Sequence, residues 1–120
     1  MKVAEIATID LEPASKRALQ VRALYEILEN RINGRVWSLQ ELMLGFTNDV
    51  GYVGRLLLAH EGTWGIDGDP KGELEHKLAE SLWWIFVLAD RLDIDINVAF
   101  NKTMNRIDDD LRTAVDRSIE

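Results

Sequence analysis

Residues 74–92, LEHKLAESLWWIFVLADRL, decide the fold of this 120-residue chain. Apolar side chains recur there every three or four residues, which is the period of an amphipathic α-helix. These positions are Leu74, Leu78, Leu82, Ile85, Ala89 and Leu92. The run from Leu82 to Ala89 is apolar on every side. Such a run is typical of a helix at the centre of a bundle or at a subunit interface.

Two further helices are predicted before this stretch. The first lies between Pro13 and Gly34, because proline suits the start of a helix and glycine its left-handed end. The second begins at Ser38, which has Glu41 three residues later in the pattern of a capping box. Its apolar stripe continues to Leu57.

A loop and a fourth helix are predicted around the central stretch. Residues 61–72 are rich in glycine and aspartate and indicate a loop. After Asp95 as N-cap, helical spacing continues through Phe100, Met104, Ile107, Leu111, Val115 and Ile119. Since no strand alternation occurs, we expect an all-α four-helix bundle forming one domain over residues 1–120. Residues 1–12 are predicted to be a flexible arm or to contact a partner.

The composition excludes several classes of function. A net charge of −7 disfavours binding to nucleic-acid polymers or anionic membranes. The absence of cysteine excludes disulfides and thiolate metal sites. The longest apolar run has eight residues, too short to cross a bilayer. We therefore predict a cytoplasmic protein.

Two carboxylates are candidates for a metal site. Asp49 lies about 60° from the centre of the apolar stripe on the second helix, at 100° per residue. Glu80 lies at the edge of the apolar face of the third helix. Carboxylates that project inward from facing helices hold divalent cations in many bundles. The alternative is that both are solvated or paired with neighbours such as Lys77 or Arg55.

Two segments resemble a known enzyme family. Residues 37–46 (WSLQELMLGF) with 48–51 (NDVG) resemble the first motif helix of the MazG-like nucleotide pyrophosphohydrolases. Residues 76–83 (HKLAESLW) with 87–92 (VLADRL) resemble their second motif helix. The resemblance implies the all-α NTP pyrophosphatase fold, completed by assembly into a homodimer or larger oligomer. It also implies hydrolysis of a (deoxy)nucleoside triphosphate to the monophosphate and pyrophosphate, with Mg²⁺ or Mn²⁺.

The resemblance also implies roles for particular residues. Asp49 and Glu80 match acidic positions that bind metal and act in catalysis, and Asn48 can add a further metal ligand. The substrate-binding positions would be Lys77, Tyr52, Asn101, Lys102, Asn105 and Arg106, although the last four equally suit a solvated helix face. Tyr52 and Lys77 stand where the family has acidic ligands, and an ammonium offers a metal no lone pair.

Two functions therefore remain open from the sequence. The first is a nucleoside triphosphate pyrophosphohydrolase, which the surviving acids Asp49 and Glu80 favour. The second is a catalytically degenerate homologue acting as a nucleotide-binding, regulatory or protein-interaction module, which Tyr52 and Lys77 favour.

Overall fold

The computed structural model describes residues 8–118 and is helical, with no strand among those residues. Its helices are α1 (Glu12–Asn33), α2 (Leu39–His60), α3 (Pro70–Arg91) and α4 (Ile96–Ser118). The all-α fold class is thus confirmed. Within the described part of the chain, no helix combines the length and apolarity needed to cross a membrane.

The ends of the first two helices follow the predicted capping signals. Gly34 adopts a left-handed conformation, with φ of 74°, and its N–H donates to the carbonyl of Asn30. Ser38 caps α2 by accepting a hydrogen bond from the Glu41 N–H at 3.2 Å. The Glu41 carboxylate accepts in return from the Ser38 N–H at 3.0 Å, so the predicted capping box is confirmed.

The third helix starts inside the segment predicted as a loop. Pro70 is its first residue, and the carboxylate of Asp69 accepts hydrogen bonds from the N–H groups of Lys71 and Gly72. An aspartate N-cap followed by proline is a strong start signal. The loop predicted over residues 61–72 therefore extends too far towards the C-terminus, because α3 already begins at Pro70.

The core lies mainly between α2 and α3. Leu42, Trp84 and Val87 are buried there, with Phe46 and Leu88 packed against them. The first helix packs on α3. The indole Nε1 of Trp83 supports that contact by donating to the carbonyl of Ala18 at 2.9 Å.

A buried ion pair within α1 also holds the segment before α2, and the sequence did not predict it. Arg22 is 5% exposed and donates to both carboxylate oxygens of Glu29, at 2.5 and 3.0 Å. Glu29 also accepts the N–H of Trp37 at 2.8 Å. The hydrogen bond from Arg22 is the main reason that the pKa of Glu29 lies below its ordinary value.

The last helix packs little against the rest of the chain. Among its described residues none is buried. Its N-terminal half holds the segment before α1, because Asn101 bonds to both backbone groups of Ile9 and Asn97 accepts the N–H of Leu11. The predicted arm over residues 1–12 is therefore attached to α4 at these two residues, and residues 1–7 lie outside the described part.

Candidate functional site

Asp49 is the buried acid at the contact between α2 and α3. Its residue is 6% exposed, and its Oδ2 accepts a hydrogen bond from the indole Nε1 of Trp84 at 2.8 Å. Gly45, one turn earlier on α2, lets the Trp84 ring approach. A Cβ atom at residue 45 would lie 2.6 Å from that ring. The glycine and the tryptophan together fix where the carboxylate stands.

Lys77 on α3 joins the two predicted acids. Its Nζ donates to Oδ1 of Asp49 at 3.2 Å and to Oε1 of Glu80 at 3.3 Å. His76 contacts the same Glu80 oxygen through Nε2. The centroid of the Tyr52 ring lies 5.6 Å from the Lys77 ammonium. We call Asp49, Tyr52, Lys77, Glu80 and Trp84 the lysine cluster.

The charges in the lysine cluster stabilise one another. Burial alone would raise the pKa of Asp49. Hydrogen bonds from Trp84 and Lys77, with the Lys77 charge and a smaller contribution from Asn48, outweigh burial and bring that pKa below its ordinary value. Burial would likewise lower the pKa of Lys77, but its bonds to Asp49 and Glu80 raise it instead. Both groups are therefore charged at neutral pH.

The lysine cluster does not fit a magnesium site as it stands. Both Asp49 oxygens already accept a hydrogen bond, and the ammonium of Lys77 lies at the point where the two carboxylates converge. Magnesium requires several oxygen ligands in octahedral geometry, whereas an ammonium supplies none. In the described residues 8–118, no group of three or more histidine, aspartate or glutamate side chains is arranged to hold a metal ion.

The remaining predicted site residues are spread over two helices. Asn48 is exposed on α2, beside Asp49. On α4, Lys102 and Arg106 are exposed and Asn105 is half-buried. The Asn101 side chain is engaged with Ile9 and with Asn97. The structure therefore brings Asp49, Tyr52, Lys77 and Glu80 together, while the proposed substrate contacts of the α4 residues stay predictions.

An aromatic cavity of about 360 Å³ adjoins the lysine cluster, and its position does not follow from the sequence. Glu80 and Trp84 belong to both. The remaining wall comes mainly from α1 and comprises Arg22, Tyr25, Leu28, Glu29, Ile32, Asn33, Trp37 and Trp83. Its rings contact one another, with centroids 5.4 Å apart for Tyr25 and Trp83 and 4.9 Å apart for Trp83 and Trp84. The adjacent tryptophans were the available signal, but tryptophans in small domains are usually core residues.

Comparison with known proteins identifies no relative of this chain. No protein-family model matches the chain, and neither the curated proteins nor the solved structures include a significant match. The MazG-like resemblance therefore stays a prediction carried by the two motif segments.

Proposed function

We propose that this chain is a catalytically degenerate relative of the MazG-like pyrophosphohydrolases that acts as a self-associating interaction module. The observation that carries the proposal is the position of the Lys77 ammonium, within 3.3 Å of oxygens from both Asp49 and Glu80. A fixed cation there neutralises the acids on which a metal-dependent enzyme depends. The lysine cluster then serves to join α2 to α3.

Electrostatic repulsion supports the proposal that Lys77 prevents metal binding. Two unit charges 4 Å apart interact by about 4 kcal/mol at an effective dielectric constant of 20, so a divalent cation would be repelled by roughly twice that amount. Metal binding would require Lys77 to leave both carboxylates, and the side chain is only 22% exposed. Only Asp49 and Glu80 would then remain as charged ligands in the lysine cluster.

Self-association is supported by the dimensions of the single chain. Its radius of gyration is 18.9 Å, whereas a compact domain of this length has about 13.6 Å. Several large apolar side chains on α1 remain exposed, including Leu24 at 63% and Ile32 at 76%. A homodimer or larger oligomer would cover such side chains and complete the helical core.

A second candidate is the pyrophosphohydrolase itself. Asp49 and Glu80 come from adjacent helices and share one cation, and helical bundles hold catalytic metals with carboxylates from facing helices. The aromatic cavity beside Glu80 offers tryptophan faces to a nucleobase. This alternative requires a substrate-bound Mg²⁺ or Mn²⁺ to displace Lys77.

Pyrophosphate release from a panel of ribo- and deoxyribonucleoside triphosphates distinguishes the two candidates. We expect no release above a buffer control with magnesium or manganese. Release that EDTA abolishes, with the matching monophosphate as the other product, would refute the degenerate function and establish the hydrolase. The double variant Tyr52→Asp, Lys77→Glu supplies the control, because it restores acidic ligands without changing the rest of the chain.

A further inference from the structure

The apolar face of α4 is uncovered along the helix from Phe100 to Val115. We call it the α4 stripe and define it by Phe100, Met104, Ile107, Leu111 and Val115. These side chains fall within about 80° around the helix at 100° per residue, and each is between 37% and 59% exposed. A helix with one apolar face is stable in water only where that face is covered.

The surface area shows how large the covering partner must be. The chain exposes 9223 Å², whereas a folded monomer of 13.7 kDa exposes about 6,600 Å². The excess of about 2,600 Å² per chain exceeds the roughly 800 Å² that each partner buries in a standard interface, and it lies at the upper end of the area that each partner buries in obligate dimers. A short peptide would not cover such an excess, but a second copy of this chain would.

The alternative apolar surface, on α3, is only partly covered within the chain. Within the run from Leu82 to Ala89, Trp84, Phe86 and Val87 are already buried. Leu78, Leu82, Ile85 and the C-cap Leu92 remain 39–57% exposed on α3, but α3 already packs against α1 and α2, whereas no described residue of α4 is buried. The α4 stripe is therefore the better surface for a second copy.

The charges along α4 select an orientation. Residues 96–107 carry Lys102 and Arg106 and no acid, which gives a charge of +2. Residues 108–118 carry four aspartates and two arginines, which gives −2. An antiparallel pair places unlike halves side by side and also opposes the two helix dipoles, whereas a parallel pair brings like halves together.

We propose that the α4 stripe is a self-association surface on which α4 of a second copy docks antiparallel, centred between Ile107 and Asp108. This inference rests on the self-association in the proposed function and names its interface. In this arrangement Phe100 faces Val115 of the second copy and Met104 faces its Leu111. Each subunit extends α4 beyond its own α1–α3 core and covers the α4 stripe of the other.

Light scattering after size exclusion tests the surface. The wild-type chain should elute with twice its 13.7 kDa mass or a larger multiple. Leu111→Glu puts a charge into both copies of the stripe and should weaken association by at least about a hundredfold. Thr113→Glu is the matched control, because it adds the same charge two residues away on the opposite face, and it should leave the mass unchanged. Circular dichroism of each variant reports whether the helices are retained.

Cysteine cross-linking tests the orientation, and the chain has no cysteine of its own. Residues 100 and 115 lie about 22 Å apart along one helix, and a disulfide needs Cα atoms within about 7 Å. A mixture of the Phe100→Cys and Val115→Cys variants should therefore form the mixed disulfide, and neither variant alone should form a disulfide dimer. Disulfide dimers of each variant with itself, without the mixed product, would show a parallel pair and overturn the proposal.

The outcomes separate the interface from the self-association on which it rests. A wild-type monomer at micromolar concentration would overturn both. A wild-type oligomer whose mass Leu111→Glu leaves unchanged would overturn the α4 interface alone, with self-association retained. Dissociation by Leu111→Glu with retained helix content, together with the mixed disulfide, would support the interface and its orientation.

Discussion

Replacing Lys77 by methionine tests the role of the ammonium in the lysine cluster. Methionine keeps most of the length and apolar surface of the lysine but removes its charge. Asp49 then loses the partner at 3.2 Å and keeps the indole N–H of Trp84 at 2.8 Å. The residue is 6% exposed, so its carboxylate cannot recover the lost interaction fully from water. We therefore expect a less stable protein at pH 7.

The burial of the partners sets the magnitude. Removing one partner of a fully buried ion pair costs 3–5 kcal/mol, whereas an exposed pair contributes about 0–1 kcal/mol. The Lys77 side chain is 22% exposed and that of Glu80 is 33% exposed, so the pair lies between these limits. We expect a loss of about 2 kcal/mol in the free energy of unfolding, or about 8 °C in Tm for a domain of this size.

Urea unfolding followed by tryptophan fluorescence measures this loss. The wild-type and variant proteins are compared at one concentration, because oligomerisation makes stability concentration-dependent. Lys71→Met is the matched control, since it removes an exposed lysine from the first turn of the same helix, and it should change stability by less than about 0.5 kcal/mol. A Lys77→Met protein as stable as the wild type at pH 7 would refute the reasoning.

The pH dependence provides a second signature of the same variant. In the wild type the pKa of Asp49 lies below its ordinary value, so its contribution to stability is present at neutral pH and is lost as the pH falls below about 4. The pKa of Lys77 is raised, so its contribution is lost only as the pH rises above about 10. The difference in stability between wild type and Lys77→Met should therefore be largest near neutrality and should shrink towards both extremes.

Two further substitutions probe the surroundings of this cluster and the cap of α2. Gly45→Ala should destabilise the protein by about 1–3 kcal/mol in thermal unfolding, because its Cβ would meet the Trp84 ring at 2.6 Å. Gly51→Ala on the same helix meets no atom within 4 Å and should be neutral or stabilising; equal effects of the two would contradict the packing. The carboxyl of Glu41 should titrate by NMR with a pKa of about 2, chiefly through the hydrogen bond from Arg35. Arg35→Gln should raise that pKa, and an unchanged titration would refute the bond.

Local signals carried most of the fold prediction. Helix ends depend on a few adjacent residues, so Gly34 and the pair Ser38 and Glu41 could be interpreted directly. Asp95 was likewise predicted as an N-cap, and its side chain accepts the N–H of Val98 at 3.1 Å. Asp49 and Glu80 could be named together as candidates for one site, because both lie at edges of apolar faces on consecutive helices.

The remaining features depend on contacts that spacing along the chain does not encode. The bond between Trp84 and Asp49 joins residues 35 positions apart. Periodicity assigns Trp84 to an apolar face but does not give the direction of its indole N–H. The weak packing of α4 was equally hidden, because an amphipathic stripe looks the same whether its partner belongs to the same chain or to another. The sequence therefore predicted where the helices lie better than it predicted what covers their apolar faces.

Calorimetric titration with Mn²⁺ tests most directly the claim that Lys77 stands in place of a metal ion. The wild-type chain should show no saturable binding, because the ammonium holds both Asp49 and Glu80. The double variant Tyr52→Asp, Lys77→Glu should bind saturably, because it removes the ammonium and adds two carboxylates at the same place. Binding by the wild type as tight as by the double variant would contradict the account. It would indicate that the lysine cluster is the site of a metal-dependent hydrolase.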